Sequence, residues 1–119
     1  MVLHHVKEED QMLVIRNLYK MLKPEGIVIL KEHNAPMRYP DKESFKKVID
    51  IVHDVYDYVL DAEMSWKDKS DYYSSYKSMK EWDNMFLECG FNVTNNTGTR
   101  FSHSIENNPQ RSYYRVFTK

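Results

Sequence analysis

The sequence predicts a single α/β domain, and three observations support this prediction. Apolar residues recur at helical spacing in three segments, whereas three others have the β-branched and aromatic composition of strands. The segments follow the order helix, strand, long helix, loop, helix, strand, strand. No repeat, low-complexity tract or linker interrupts residues 1–119, so one domain accounts for the whole sequence.

The first predicted helix and the first predicted strand are separated by a short turn. Residues 10–22 carry an apolar stripe at helical spacing, and the proline that follows ends the helix. Pro24-Glu25-Gly26 is a turn signal. Residues 27–30 are apolar without alternation, which is typical of a strand buried on both faces in a parallel sheet covered by helices.

A long helix and a capped helix follow this strand. Residues 41–60 match the template of an amphipathic helix almost completely, after a proline-containing loop at residues 35–40. Ser78 and Glu81 have the spacing of a capping box at the start of the next helix. Gly90, at the end of that helix, can adopt the left-handed conformation that terminates helices.

Two more strands complete the predicted domain. Residues 91–94 follow the terminating glycine, and residues 112–118 alternate and are rich in Tyr, Val, Phe and Thr. The segment between them, residues 95–108, has the composition of a loop. Residues 62–77 are polar and rich in tyrosine, and they follow no reliable period, so the sequence assigns no element to them.

Composition argues against several classes of protein. The chain has 17 Lys and Arg against 18 Asp and Glu, whereas a dedicated nucleic-acid binder usually carries a basic excess. Cys89 is the only cysteine, which excludes an internal disulfide and a cysteine-rich zinc site and, at a helix end, is not expected to be an activated thiolate. No apolar run approaches the roughly 20 residues that cross a bilayer, and no signal peptide is recognisable. We therefore expect a cytoplasmic protein without a membrane partner.

The order and punctuation of these segments resemble the second half of class I S-adenosylmethionine-dependent methyltransferases. The resemblance rests on Val2-Leu3-His4-His5-Val6, on Leu22-Lys23-Pro24-Glu25-Gly26 before the strand at 27–30, and on Cys89-Gly90-Phe91 after the last helix. Residues 32–34 and 52–56 also look like a subgroup found in large viruses. The resemblance implies a partial Rossmann-like fold, in which strands five, seven and six are contiguous and strand seven is antiparallel. It implies methyl transfer from S-adenosylmethionine to an unidentified acceptor.

The sequence departs from that family where the cofactor binds. Its three glycines, Gly26, Gly90 and Gly98, are far apart, so no glycine-rich phosphate or dinucleotide motif is present. The family's glycine-rich turn after strand one and its acidic residue after strand two also have no counterpart. The chain therefore resembles the C-terminal half of an enzyme, and we expect the isolated chain to bind the cofactor weakly or not at all. Strand 27–30 would lack the neighbour that strand four provides, and a second chain is expected to cover this edge unless the protein aggregates.

The resemblance and the strand end together indicate a candidate site. Leu3, His4 and His5 would lie beside the methionine end of the cofactor. Glu32 and His33 follow a strand end of the kind at which open α/β sheets bind ligands. Either is a candidate general base, because methyl transfer requires removal of the nucleophile's proton. The residues expected to line the acceptor site are Asn34, Tyr72, Tyr73 and Tyr76.

Other interpretations of the same residues remain open. The histidines and Glu32 could be a solvated loop and a polar strand exit, and the tyrosines could cover a core or stack on single-stranded nucleic acid. No metal site is expected, because no two histidines lie at i, i+4 on a helix, and His53 is expected to flank the buried face of its helix. Two functions are therefore carried forward: part of a larger or truncated methyltransferase, and a non-catalytic interaction module that pairs through the open sheet edge. The partner would be a second copy or a missing N-terminal half.

Overall fold

A computed structural model describes residues 3–36, 41–60, 73–98 and 112–119. The described residues form a small α/β domain, as the sequence predicts. The helices are α1 (Glu8–Met21), α2 (Asp41–Leu60) and α3 (Met79–Glu88). The strands are β1 (Ile27–His33), β2 (Asn92–Gly98) and β3 (Ser112–Thr118).

The C-terminal strand lies in the centre of the described sheet. The strand order is β1-β3-β2, and both pairings are antiparallel. β1 pairs with β3 along its whole length, from Ile27 opposite Thr118 to His33 opposite Ser112. This order agrees with the order expected from the resemblance, in which the last strand lies between the other two.

β1 differs from its prediction in burial and in length. Val28 and Leu30 are buried, whereas Ile27 and Ile29 are 54% and 50% exposed. The prediction of a strand buried on both faces of a parallel sheet is therefore wrong for the described residues, because α1 and α3 pack against only one face of this sheet. The strand also continues through His33, since pairing with β3 holds the polar residues after Leu30 in extended conformation.

β2 also extends beyond its predicted end. It begins at Asn92 and continues to Gly98, although residues 95–98 have a loop-like composition. Pairing with β3 holds this polar segment, after a register shift between Val93 and Thr97. The prediction of a loop from residue 95 is therefore wrong for 95–98, and residues 99–111 lie outside the described part of the chain.

The helices agree with the predicted boundaries to within two residues. α1 begins two residues before the predicted start, with three acidic residues in its first turn. α2 has the predicted bounds, and within it Ile49 is buried, whereas the apolar side chain of Val48 is 54% exposed. The side chains of residues 53–60, including His53, lie outside the description. None of the described helices combines the length and the apolar character needed to cross a membrane.

The principal core lies between the sheet and the helices α1 and α3. Its aromatic centre is formed by Phe86 of α3 and Phe117 of β3, whose rings stack with centroids 3.9 Å apart. Phe91 packs beside both rings. A smaller cluster beneath α2 contains Ile49 and Tyr76. This second cluster lies next to the C-terminal end of β1 and so supports the candidate site.

Candidate functional site

The C-terminal end of β1 meets the segment that precedes α1. Alternation along β1 places Glu32 on the same face as the buried Val28 and Leu30, and the Glu32 side chain is 1% exposed. Its Oε1 atom accepts hydrogen bonds from the backbone N–H groups of Leu3 and of His4, the latter at 3.0 Å. Its Oε2 atom lies 2.6 Å from Nδ1 of His4. One buried carboxylate therefore binds two backbone amides and an imidazole.

Three further rings surround the imidazole of this carboxylate–imidazole pair. The ring centroid of His4 lies 4.2 Å from that of His5, 5.2 Å from that of His33 and 5.1 Å from that of Tyr76. The rings of His33 and Tyr76 are 5.6 Å apart. His4, His33 and Tyr76 are buried, whereas His5 is exposed. In this cluster the His5 ring is therefore exposed to solvent, and the rings beneath it, those of His4, His33 and Tyr76, are buried.

The segment 73–78 holds the cluster from the other side. The backbone N–H of Ser75 donates to the carbonyl oxygen of His4 at 2.8 Å, and Nδ1 of His5 lies 3.0 Å from the carbonyl oxygen of Tyr73. The Tyr73 hydroxyl accepts a hydrogen bond from the backbone N–H of Glu8, the first residue of α1, at 3.2 Å. These contacts connect a segment without regular structure to the residues on both sides of the site.

A polar network on α2 fixes Tyr76. The Tyr76 hydroxyl donates to Oδ1 of Asp50 at 3.0 Å, and the Ser74 hydroxyl donates to the same oxygen at 2.8 Å. Lys46 lies 2.7 Å from Oδ2 of Asp50. Burial alone would raise the pKa of Asp50, but the hydrogen bonds from Lys46, Ser74 and Tyr76 lower it below its ordinary value. No sequence pattern predicts this network, because its members come from segments without a shared period.

Asn34 is predicted to bind substrate, but the contact that its side chain makes in the structure is with the start of a helix. Its Oδ1 atom accepts a hydrogen bond from the backbone N–H of Met79, the first residue of α3, at 2.8 Å. This bond satisfies an amide that a helix N-terminus leaves without an intrahelical partner. Asn34 therefore connects the end of β1 to the start of α3, and its partly buried side chain remains beside the site.

Tyr113 is a polar residue of this region that the sequence analysis did not single out. It lies opposite Glu32 in the β1–β3 pairing and is fully buried. Burial raises the pKa of its phenol, and the nearby carboxylates of Glu32 and Asp83 raise it further. Its hydroxyl has no hydrogen-bond partner among the described residues. The alternation of β3 was the available signal, because it places Tyr113 on the same face as Phe117.

The structure gathers most of the predicted site residues at one end of the sheet. Tyr72 lies outside the described residues. Among the residues that are described, no group of three His, Cys, Asp or Glu side chains could hold a metal ion. Burial raises the pKa of the Cys89 thiol, which opposes formation of a thiolate. The predicted residues brought together are Leu3, His4, His5, Glu32, His33, Asn34, Tyr73 and Tyr76.

No protein-family model and no curated protein matches this sequence. The chemistry of the site therefore follows from its own groups. A buried carboxylate paired with an imidazole can hold or move a proton between Oε2 of Glu32 and Nδ1 of His4. The backbone of residues 3 and 4 is fixed by the same carboxylate. At this site His5 is exposed and Tyr73 is partly exposed.

Proposed function

We propose that this chain forms the C-terminal part of a class I S-adenosylmethionine-dependent methyltransferase domain, acting on an acceptor still to be identified. The observation that supports the proposal is the meeting of residues 3–5 with Glu32 and His33 at the C-terminal end of β1. The resemblance assigns the first segment to the cofactor pocket, the strand-end rule assigns the second to a ligand-binding edge, and 28 positions separate His4 from Glu32. The position of β3 between β1 and β2 also supports it.

The chain's own residues would form one wall of the site. In this proposal the bound cofactor supplies a methyl group on a positively charged sulfur, which leaves as a neutral thioether. The residues at 3–5 border the cofactor, and Tyr73 and Tyr76 border the acceptor. His33 holds the position of a base that takes the acceptor's proton. Orientation of the two reactants supplies most of the rate. The glycine-rich turn must come from another segment, in the same polypeptide or in a second chain.

The gene region upstream of the Met1 codon tests this proposal. We expect an in-frame continuation that encodes a strand followed by a glycine-rich turn. Calorimetry should then show one S-adenosylhomocysteine bound per extended polypeptide, and weak or undetectable binding to residues 1–119 alone. Absence of binding to an extended polypeptide that is folded by circular dichroism would contradict methyl transfer. Tight binding to residues 1–119 alone would contradict the proposed division of the site.

The second candidate function is a non-catalytic interaction module. It is favoured by the position of β1 as the terminal strand of the described sheet and by the exposure of Ile27 on its outer face. Such a strand can associate with another chain. A stop codon upstream of Met1, together with an independent promoter, would favour this candidate over the first.

A further inference from the structure

We infer that Glu32 is a positioning residue, whose carboxylate holds the backbone of residues 3 and 4 and keeps a proton on Nδ1 of His4. The inference rests on the proposed function only for what the held segment does, namely border the cofactor. The hydrogen bonds themselves are independent of that function. They assign Glu32 a role different from the base that its sequence position suggests.

The place of Glu32 in the strand shows why its carboxylate needs these partners. The residues two and four positions earlier on the same face are Leu30 and Val28, both of them core residues. A carboxylate at such a position is tolerated only when its oxygens are hydrogen-bonded. The partners of Glu32 come from the segment before α1, through Leu3 and His4. The charge of Glu32 is therefore satisfied by ordering a distant part of the chain.

The held segment in turn depends on Glu32. Residues 3–6 belong to no helix or strand, so no sheet or helix ladder pairs the N–H groups of Leu3 and His4. Both groups donate to a single oxygen of Glu32. Gln11 holds the far end of the segment, where its Nε2 donates to the carbonyl oxygen of Val6 at 3.0 Å. Removal of the carboxylate would leave two buried amides without their acceptor.

The short contact with His4 is the basis for the proton assignment in this inference. We take Glu32 to be ionised, and an ionised carboxylate only accepts hydrogen bonds, so the hydrogen between Oε2 and Nδ1 belongs to the imidazole. Three of the about four lone-pair positions of the Glu32 carboxylate are already occupied, and the side chain is buried, so an acceptor has little access to it. This geometry favours positioning over proton abstraction.

Nuclear magnetic resonance of the labelled chain at neutral pH tests the inference without any cofactor. Long-range proton–nitrogen correlation should show a protonated Nδ1 in the His4 ring of the unmodified protein. A His4 ring protonated only on Nε2 would overturn the inference. This measurement requires no substitution, so it decides the question even if a variant fails to fold.

Two substitutions and a matched control extend the test. Glu32→Gln keeps one carbonyl oxygen for the two amides but presents an NH₂ donor to Nδ1, so the His4 proton should move to Nε2. Glu32→Ala should speed hydrogen exchange of the Leu3 and His4 amides by about tenfold to a hundredfold, because it removes bonds to a charged acceptor. Asp83→Asn removes the same charge from the Arg115 pair and should change neither readout. Equal exchange in the Ala variant and this control would overturn the inference.

The outcome for cofactor binding is measured separately. In the extended polypeptide, Glu32→Ala should weaken binding of S-adenosylhomocysteine by about tenfold relative to Asp83→Asn, through loss of the ordered segment. If the His4 proton and the amide exchange behave as expected but no extended polypeptide binds the probe, the proposed function fails and the positioning role stands. If the probe binds equally in both variants, the positioning role fails for the site.

Discussion

Glu25 has a backbone conformation that is unusual for its residue type. Its φ is 65°, in the left-handed region, where a side chain costs roughly 1–2 kcal/mol. The next residue closes the turn, because the N–H of Gly26 donates to the carbonyl oxygen of Lys23 at 2.9 Å. A Cβ atom at Gly26 would lie 2.8 Å from that same oxygen. The turn therefore requires a glycine at Gly26 and would also suit one at Glu25.

Substitutions in this turn should change stability in opposite directions. Glu25→Gly should raise the free energy of unfolding by about 0.5–1 kcal/mol, because relief of the left-handed strain exceeds the entropic cost of glycine. Gly26→Ala should lower it by about 1–3 kcal/mol through the contact with the Lys23 carbonyl. Urea titration followed by circular dichroism measures both. A destabilising Glu25→Gly change would show that the side chain of Glu25 contributes more than its backbone strain costs.

At the scale of elements, α3 is the helix whose start is most fully determined by local chemistry. The backbone N–H of Glu81 donates to the Ser78 hydroxyl at 3.1 Å, and the N–H of Ser78 donates to the Glu81 carboxylate at 2.7 Å. This is the predicted capping box. Glu81 also pairs with Lys42 of α2 at 3.1 Å, so the cap connects two helices. The end of α3 is equally well defined, because Gly90 has a φ of 102°.

Removal of the capping serine should lower the stability of the protein more than removal of an exposed serine elsewhere. We expect Ser78→Ala to lower the free energy of unfolding by about 1 kcal/mol, because the N–H of Glu81 loses its acceptor. Ser44→Ala, at an exposed position of α2, serves as the control and should change it by less than about 0.5 kcal/mol. Urea midpoints of the two variants measure the difference. Equal midpoints would show that another group accepts the Glu81 hydrogen bond.

At the scale of the whole molecule, carboxylates connect separate parts of the fold. The hydrogen bond and charge of Lys77 lower the pKa of Glu8 on α1 below its ordinary value. Burial opposes a low pKa at Glu81, but hydrogen bonds from Ser78 and Lys42 lower it overall. Asp50 behaves in the same way beneath Tyr76. Protonation of these groups should therefore loosen contacts between elements.

Stability should decline in acid for this reason. A carboxylate with a lower pKa in the folded state than in the unfolded state stabilises the fold above its unfolded pKa, and this stabilisation disappears as pH falls through the folded pKa. Thermal unfolding should therefore shift to lower temperature below about pH 4.5. Asp50→Asn should flatten this decline, whereas Glu88→Gln, at an exposed position, should leave its slope unchanged. A slope identical in all three proteins would exclude Asp50 as a source.

The exposed face of β1 should promote association between molecules. Ile27 on β1 and Val48 on α2 are both 54% exposed, so they form a matched pair. Light scattering should show self-association that Ile27→Lys reduces and Val48→Lys leaves unchanged, because a charged residue on a terminal strand disfavours strand pairing. A monomer in the unmodified protein, or equal effects of both substitutions, would contradict a role for this strand in association.

Signals between near neighbours in the sequence made the helices and strands predictable. Which residues are buried depends on contacts between distant segments and could not be predicted in this way. The capping box at Ser78, the terminator at Gly90 and the amphipathic period of α2 each depend on neighbours within a few positions. Ile27 and Ile29 have the same residue types as core positions, and only the packing of α1 and α3 on one face of the sheet decides that they are exposed. The polar end of β2 is likewise a strand because β3 pairs with it.

The candidate site shows the same division between sequence and tertiary structure. The resemblance placed His4 beside the cofactor and the strand-end rule placed Glu32 at a ligand-binding edge, but no periodicity relates positions so far apart. Tyr113, Asp50 and Ser74 escaped prediction because their roles arise from cross-strand pairing and from a segment without a period.

By itself, the sequence determined an α/β domain, the bounds of α2 and the cap of α3, since hydrophobic spacing and backbone capping act over one or two turns of chain. Only the tertiary structure decided which face of β1 is covered, and that the carboxylate of Glu32 is buried against the backbone of residues 3 and 4. The physical reason is that desolvation and charge pairing depend on which groups are close in space, and folding sets those distances across the whole chain.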